Sequence, residues 1–386
     1  MLYKMLIIGN GFDLYHGLPT RYTDFLFFAK NWKIFYDLYD SAKIDDGTFE
    51  IPLSENGKLT ETSLKTFAEH GGYEIEEIEY FNKSISGNTW VEYFENSNTM
   101  KEGWVDFEEE MFRALQKIEF FFEEYRPKKA ANQPAIKDLK FSSVFSTVRL
   151  FGKKGNGFNE RLITGTVSDR DISPESLSEQ KNIVLTAMKE SMDVLNQCLR
   201  IYLSEFVSRI KIAKFSEQIK TIGQCNVLNF NYTYTFQHVY DQREGGKNHA
   251  IHGELKENNL VLGIADDAFP NTRDYLYFTK YFQRLQKKTG SYYGEWLNYE
   301  RISLEDLPLE IHIVGHSLGQ SDKEILTMIF RSENVGKIIV YYHNQASYEA
   351  LIMNMVDLIG REDLINENLS GRIEFVKLNQ AIEKAG

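Results

Sequence analysis

Four stretches of this chain put small or functional side chains where an apolar run stops. Gly9-Asn10-Gly11-Phe12-Asp13 follows Met5-Leu6-Ile7-Ile8, and Asn231-Tyr232-Thr233 follows Val227-Leu228-Asn229-Phe230. His252-Gly253 follows Ala250-Ile251, and Gly315-His316-Ser317 follows Ile311-His312-Ile313-Val314. A glycine-rich turn between a buried strand and a helix lets a ligand approach the main chain and is the usual cradle for a phosphate. Gly9, Asn10, Gly11, Phe12 and Asp13 are therefore candidate nucleotide contacts. His252 is a candidate general base, since histidine titrates near neutrality; Gly253 clears space beside it and Asn231 is expected close by. Gly315, Ser317 and Asp322 are candidates to line the same crevice, with Ser317 or Asp322 exchanging hydrogen bonds with a ligand. In open α/β sheets ligands bind beyond the carboxyl ends of the strands, so endings far apart in sequence can converge on one site.

Each feature also has a plainer reading. Gly9, Gly11 and Gly17 do not match the dinucleotide spacing, and no Gly-Lys-Ser/Thr follows, so the first loop reads equally as a tight turn without ligand. Asp37 has about the spacing of a ribose-binding acid but falls among aromatics in a helical pattern. Gly315-His316-Ser317-Leu318-Gly319 spells a nucleophile elbow. Only His343 lies downstream as its histidine, however, and the acids Asp322, Glu324 and Glu333 crowd the next helix, which disfavours a serine hydrolase. Asp106 with Glu108, Glu109 and Glu110 reads first as a solvated helix start, with Asp106 and Glu109 as a capping box. Arg126 to Asp171 is basic and turn-rich, an exposed loop or, more sharply, a patch for nucleic acid or another acidic partner.

The elements that would position these residues follow from periodicity. Leu2 to Ile8, Val227 to Phe230, Ala250 to His252, Ile311 to Val314, Ile338 to Tyr341 and Ile373 to Val376 read as strands of one mostly parallel sheet, with Leu260 to Ile264 as a further strand. Thr20 is placed to cap a helix from Arg21 to Lys30. Trp104 to Tyr125 and Ile183 to Lys220 read as long amphipathic helices. The expected fold is α/β: a doubly wound, Rossmann-like sheet from residues 1–31 and 221–386, with a mainly helical insertion at 32–220. In this picture Gly11→Val abolishes ligand binding and leaves the fold mostly intact. The net charge of −12 disfavours nucleic acid as a partner of the whole chain, and two cysteines make neither a disulfide framework nor a zinc ribbon. No apolar run spans a bilayer and no leader precedes the glycine loop, so a cytoplasmic protein is expected.

Ile8 to Leu14 with His16-Gly17-Leu18-Pro19-Thr20 resembles the N-terminal signature of the AbiH family of bacterial abortive-infection proteins. Asn229 to Thr233, His252-Gly253, Gly315 to Leu318 with Asp322, and Trp104 with Asp106 and Glu108 resemble that family's later motifs. More distantly, the motif order is similar to sirtuin-like NAD-binding domains: a glycine loop leading to Gly17-Leu18-Pro19, an Asn closing a later strand, and a His-Gly pair. Asp13 stands where those domains have serine, Thr233 where they have aspartate, and the zinc cysteines of protein deacetylases are missing. The resemblance implies an anti-phage protein with a nucleotide site, NAD as substrate or ligand, no metal, His252 and Asn231 as catalytic residues, and a small-molecule partner. A sensor that binds a nucleotide without cleaving it, and a nucleic-acid-directed toxin, stay open beside it, as does a homo-oligomer.

Overall fold

The computed structural model describes residues 3–43, 47–96, 107–124, 174–240, 246–269, 273–297 and 308–383. Trp104, Asp106 and the basic stretch from Arg126 to Asp171 lie outside them.

The strands, in chain order, are β1 (Lys4–Ile8), β2 (Lys214–Phe215), β3 (Asn226–Asn229), β4 (Asn248–Ala250), β5 (Leu309–Val314), β6 (Val335–Tyr342), β7 (Ile373–Lys377) and β8 (Ile382–Glu383). Six of them form a sheet in the order β4-β3-β1-β5-β6-β7, every pair parallel. Counting only these six in chain order, the arrangement is 3-2-1-4-5-6, the Rossmann order, with its switch point between β1 and β5. β2 and β8 make a separate antiparallel pair. The six expected strands fall in one sheet, but the strand expected at Ala250 to His252 is shifted: β4 ends at Ala250, and Ile251 and His252 lie in the turn that follows.

β1 lies centrally because it is apolar on both faces. Met5 and Ile7 enter one core with Ile311, Ile313, Ile338 and Val340, covered by the helices Lys323–Phe330 and Gln345–Ile359. Leu6 and Ile8 point to the other face, into a core with Val227, Phe12, Phe236 and Tyr240. Alternation along the strand thus buries both faces, which is why the run shows no polar positions. Each of these fully buried side chains contributes about 2 kcal/mol.

Two expectations are corrected. Leu260 to Ile264 is not a strand: Val261 N–H donates to the His252 carbonyl at 2.8 Å, and Ile264 makes an isolated bridge to Thr279. A short apolar run reports burial, and here burial comes without a ladder. The helix expected to reach Lys220 ends earlier. Pro174–Ile201 is α-helical, then a π-turn spans Tyr202–Phe206 and a 3-10 turn Val207–Arg209. The π-turn brings both Tyr202 and Phe206 onto Phe28, while Tyr202 Oη donates to the Pro19 carbonyl at 2.6 Å. Thr20 does not cap the next helix either. That helix is Tyr22–Lys30, and the Asp24 carboxylate accepts from Arg21 N–H at its start.

The chain divides into two compact units, one of residues 1–78, 199–261 and 283–386, the other of 79–198 and 262–282. The first holds the sheet. In the second, Phe107, Met111, Leu115, Ile118 and Phe122 of the helix Phe107–Glu124 are buried, as their three- and four-residue spacing predicts. There Trp90 Nε1 donates to the Met188 carbonyl, and Lys280, itself buried, pairs with Glu108 at 2.8 Å. Among the described residues no helix is long and apolar enough to cross a membrane.

Candidate functional site

The first loop uses its glycines differently from the expectation. Gly9 is extended (φ −127°, ψ −174°) and Gly11 lies inside the short helix Asn10–Tyr15, so neither takes a backbone angle closed to other residues. They are small because the loop after β5 presses on them. A Cβ on Gly9 would lie 2.7 Å from His316 Cα, and one on Gly11 2.9 Å from Gly315 Cα. Gly315 does need positive φ (+68°), and a Cβ there would meet Phe12 N at 2.0 Å. Gly11 N–H donates to the Gly315 carbonyl at 2.8 Å and Phe12 N–H to the Gly9 carbonyl at 2.8 Å. Main chain therefore fills the space beside these glycines, and the expectation that Gly11→Val would spare the fold is overturned.

The other residues of the loop separate. Asn10 is exposed, its Oδ1 accepting from Thr20 Oγ1 at 2.6 Å, which ties the two halves of the N-terminal motif together. Phe12 is fully buried against His16, Phe236 and Tyr240 and faces the core. His16 is structural: Nδ1 donates to the Phe12 carbonyl at 2.7 Å, and Nε2 accepts from Tyr240 Oη at 2.8 Å.

Asp13 is 1% exposed. Its Oδ2 accepts from Thr233 Oγ1 at 2.6 Å, and Thr233 accepts in turn from Thr235 Oγ1 at 3.1 Å. Its Oδ1 has no hydrogen-bond partner. Burial pushes this carboxyl up to about 6, and the hydrogen bond from Thr233 offsets part of that cost. Asn231 stands at the end of β3. Its Nδ2 donates to the Gly9 carbonyl at 3.0 Å, and its N–H donates to Asn229 Oδ1 at 2.8 Å. The first loop and the β3 ending are thus one polar network, although 222 residues separate Gly9 from Asn231.

The remaining endings meet at Asp322. His252, after β4, places Nδ1 3.1 Å from the Phe230 carbonyl and Nε2 3.1 Å from Asp322 Oδ1. His316, after β5, accepts from Leu318 N–H on Nδ1 at 2.9 Å and sets Nε2 3.6 Å from Asp322 Oδ2. All three side chains are buried, and the Phe230 ring stands edge-on to both histidines, with centroids at 5.4 and 4.4 Å. The loop that carries Asp322 is bent by Gly315 and by Leu318, which sits at φ +60° with its side chain fully buried. A leucine there is strained and is held by its surroundings, including the His316 contact. Leu318 N–H on Nδ1 leaves the proton of a neutral His316 on Nε2, and a protonated nitrogen does not ligate a metal. Among the described residues no group of three or more His, Cys, Asp or Glu side chains is arranged to hold a metal ion.

Gly9, Asp13, Asn231, His252, Gly315 and Asp322 are therefore gathered at the carboxyl ends of β1, β3, β4 and β5, within one compact unit. Ser317 is exposed and offers its carbonyl to Asn354 Nδ2 at 2.8 Å. His343 follows β6 and lies two strands from β1. Sequence reasoning passed over His316, reading it as part of a turn; its place after an apolar strand, like that of His252, was the available signal. It also passed over Tyr232, whose hydroxyl donates to the Val261 carbonyl at 2.8 Å and whose ring lies 6.3 Å from that of His252.

No curated protein and no solved structure matches the chain. A family profile described as bacteriophage abortive infection AbiH matches residues 5–343, a span that takes in all four strand endings. The chain belongs to the AbiH family of bacteriophage abortive-infection proteins.

Proposed function

We propose that this protein serves abortive infection by consuming a nucleotide in the crevice beyond β1, β3, β4 and β5, with NAD as the substrate. The observation that carries the reading is the contact of His252 with Asp322, two buried ionisable groups 70 residues apart that meet beyond the strand ends beside the switch point of a Rossmann-ordered sheet. Ligands of such sheets bind there, and a buried histidine–carboxylate pair at that place is a candidate functional group. The Asp13 carboxylate, with a buried oxygen lacking a partner, suits a ribose hydroxyl as donor.

The reaction is hydrolysis of the nicotinamide–ribose bond. That bond breaks with its electron pair going to the ring nitrogen, which leaves neutral. The ribose carbon gains oxocarbenium character, water adds to it, and one proton is released with ADP-ribose. In this reading a buried carboxylate beside the ribose stabilises the positive charge, and Asn231 orients the hydroxyl or the water. Incubating the purified chain with NAD and measuring nicotinamide release tests the reading. Turnover lost in Asp322→Asn or His252→Ala is the expected result, and no release by the native chain would end it.

A sensor that binds a nucleotide without cleaving it is the second reading. The engagement of both His252 ring nitrogens favours it, because a histidine so held does not offer a lone pair as general base. Mass spectrometry of nucleotides retained by the purified protein, before and after incubation, separates the two.

A further inference from the structure

We infer that Asp322 is the group of this crevice that acts on the ligand, and that His252 is its positioning residue, carrying a proton on both ring nitrogens. The inference rests on the nucleotide-cleaving reading for its chemistry and on hydrogen-bond directions for the assignment. The Phe230 carbonyl can only accept, so His252 Nδ1 carries a proton to donate there at 3.1 Å. Nε2 lies 3.1 Å from Asp322 Oδ1, and this contact also needs a proton between the two atoms.

That second proton could sit on either partner, and His316 decides where. Its Nδ1 accepts from Leu318 N–H, so its own proton is on Nε2, which points at Asp322 Oδ2 from 3.6 Å. Asp322 is therefore bonded to His252 at one oxygen and has the positive end of the His316 Nε2–H dipole 3.6 Å from the other, a field that favours a charged carboxylate over a neutral acid. The second proton then belongs to His252, an imidazolium against a carboxylate. The groups facing this ring include the Phe230 carbonyl and ring, the Tyr232 ring, Asp322 and, through Asp322, His316.

A histidine whose two nitrogens both donate to the protein has no lone pair with which to take a proton. The negative charge of the cluster is on Asp322, which is also its most exposed member at 9%, against 5% for His252 and 7% for His316. In nicotinamide–ribose cleavage the carboxylate stabilises the developing positive charge at the ribose carbon. As water adds, its proton passes to the carboxylate and then to solvent, leaving Asp322 unchanged. His252 and His316 hold the carboxylate ionised and oriented.

The test begins without substrate. Nitrogen NMR of the full chain labelled with ¹⁵N-histidine reads each imidazole, with His252 assigned by the signal lost in His252→Gln. At about pH 8, where a free histidine is neutral, both His252 nitrogens are expected to be protonated. In Asp322→Asn the Nε2 signal should become that of a bare nitrogen. A bare ring nitrogen on His252 in the native chain at that pH overturns the inference whether or not NAD is cleaved. The second arm is NAD turnover. Asp322→Asn is expected to lose at least about a hundredfold, while His252→Gln, which still donates one N–H, loses about tenfold. A larger loss in His252→Gln than in Asp322→Asn also overturns it. If the native chain does not cleave NAD, the nucleotide-cleaving reading falls and the NMR result alone decides the proton assignment.

Discussion

Asp13 loses almost all its solvent on folding and keeps one oxygen without a partner, so its ionisation opposes the folded state. The carboxyl moves from 3.8 when unfolded to about 6 when folded. Between these values the folded chain holds a proton that the unfolded chain has released, so stability falls as pH rises through this window. The group's contribution is fully present below about pH 4 and lost above about pH 6, a span of at most about 3 kcal/mol. Asp13→Asn should flatten that part of the stability profile, and denaturant midpoints measured from pH 4 to 7 check it. Gly11→Val belongs at the same scale. Its new side chain meets the Gly315 backbone, which cannot move as a flexible side chain would, so a loss of about 2 kcal/mol or more is expected. An unchanged melting temperature would show that the loops after β1 and β5 are less tightly apposed than the geometry requires.

Among the elements, the helix Gln345–Ile359 does more for the site than its distance in sequence suggests. Asn354 on this helix holds the Ser317 carbonyl in the loop that leads to Asp322. The helix is started by a reciprocal cap, with Asn344 Oδ1 accepting from Ser347 N–H at 2.8 Å and Ser347 Oγ from Asn344 N–H at 3.1 Å. Asn344→Ala should cost about 1 kcal/mol, read as a shift of the urea midpoint with an unchanged slope. Elements with strong periodicity were legible in advance: β1, β5 and the helix Phe107–Glu124 lie close to where the apolar spacing puts them. The stop at Ile201 was not, because the pattern of Leu203 and Phe206 continues a helical stripe while the backbone adds a residue per turn. That change answers to the aromatic side chains packed around Tyr202 and Phe206, which no local spacing records.

For the molecule as a whole, the family assignment and the proposed chemistry make a joint prediction. Cells carrying the native chain should restrict phage, and Asp322→Asn should abolish restriction at equal protein abundance. Plaque counts beside an immunoblot would check this, and restriction persisting in that variant would separate defence from the crevice. The net charge of −12 leads to a further expectation: weak, strongly salt-dependent binding to duplex DNA. A titration that showed tight binding at physiological salt would return attention to the basic stretch between Arg126 and Lys154.

The sequence by itself determined the α/β class, the six sheet strands and the four endings at which chemistry could sit, because burial on both faces writes continuous apolar runs and turns need small residues. It also carried the family, through short blocks such as Ile8 to Leu14 and His252-Gly253. Only the tertiary structure decided what those residues do to one another. Gly9 and Gly11 looked like room for a ligand and proved to be room for the loop after β5. His252 looked like a base and has both ring nitrogens engaged, one by a carbonyl after β3 and one by a carboxylate after β5. Spacing along a chain specifies which face a side chain takes within its own element. Which atom it meets across the sheet depends on strand order, and that is set by the packing of the whole core.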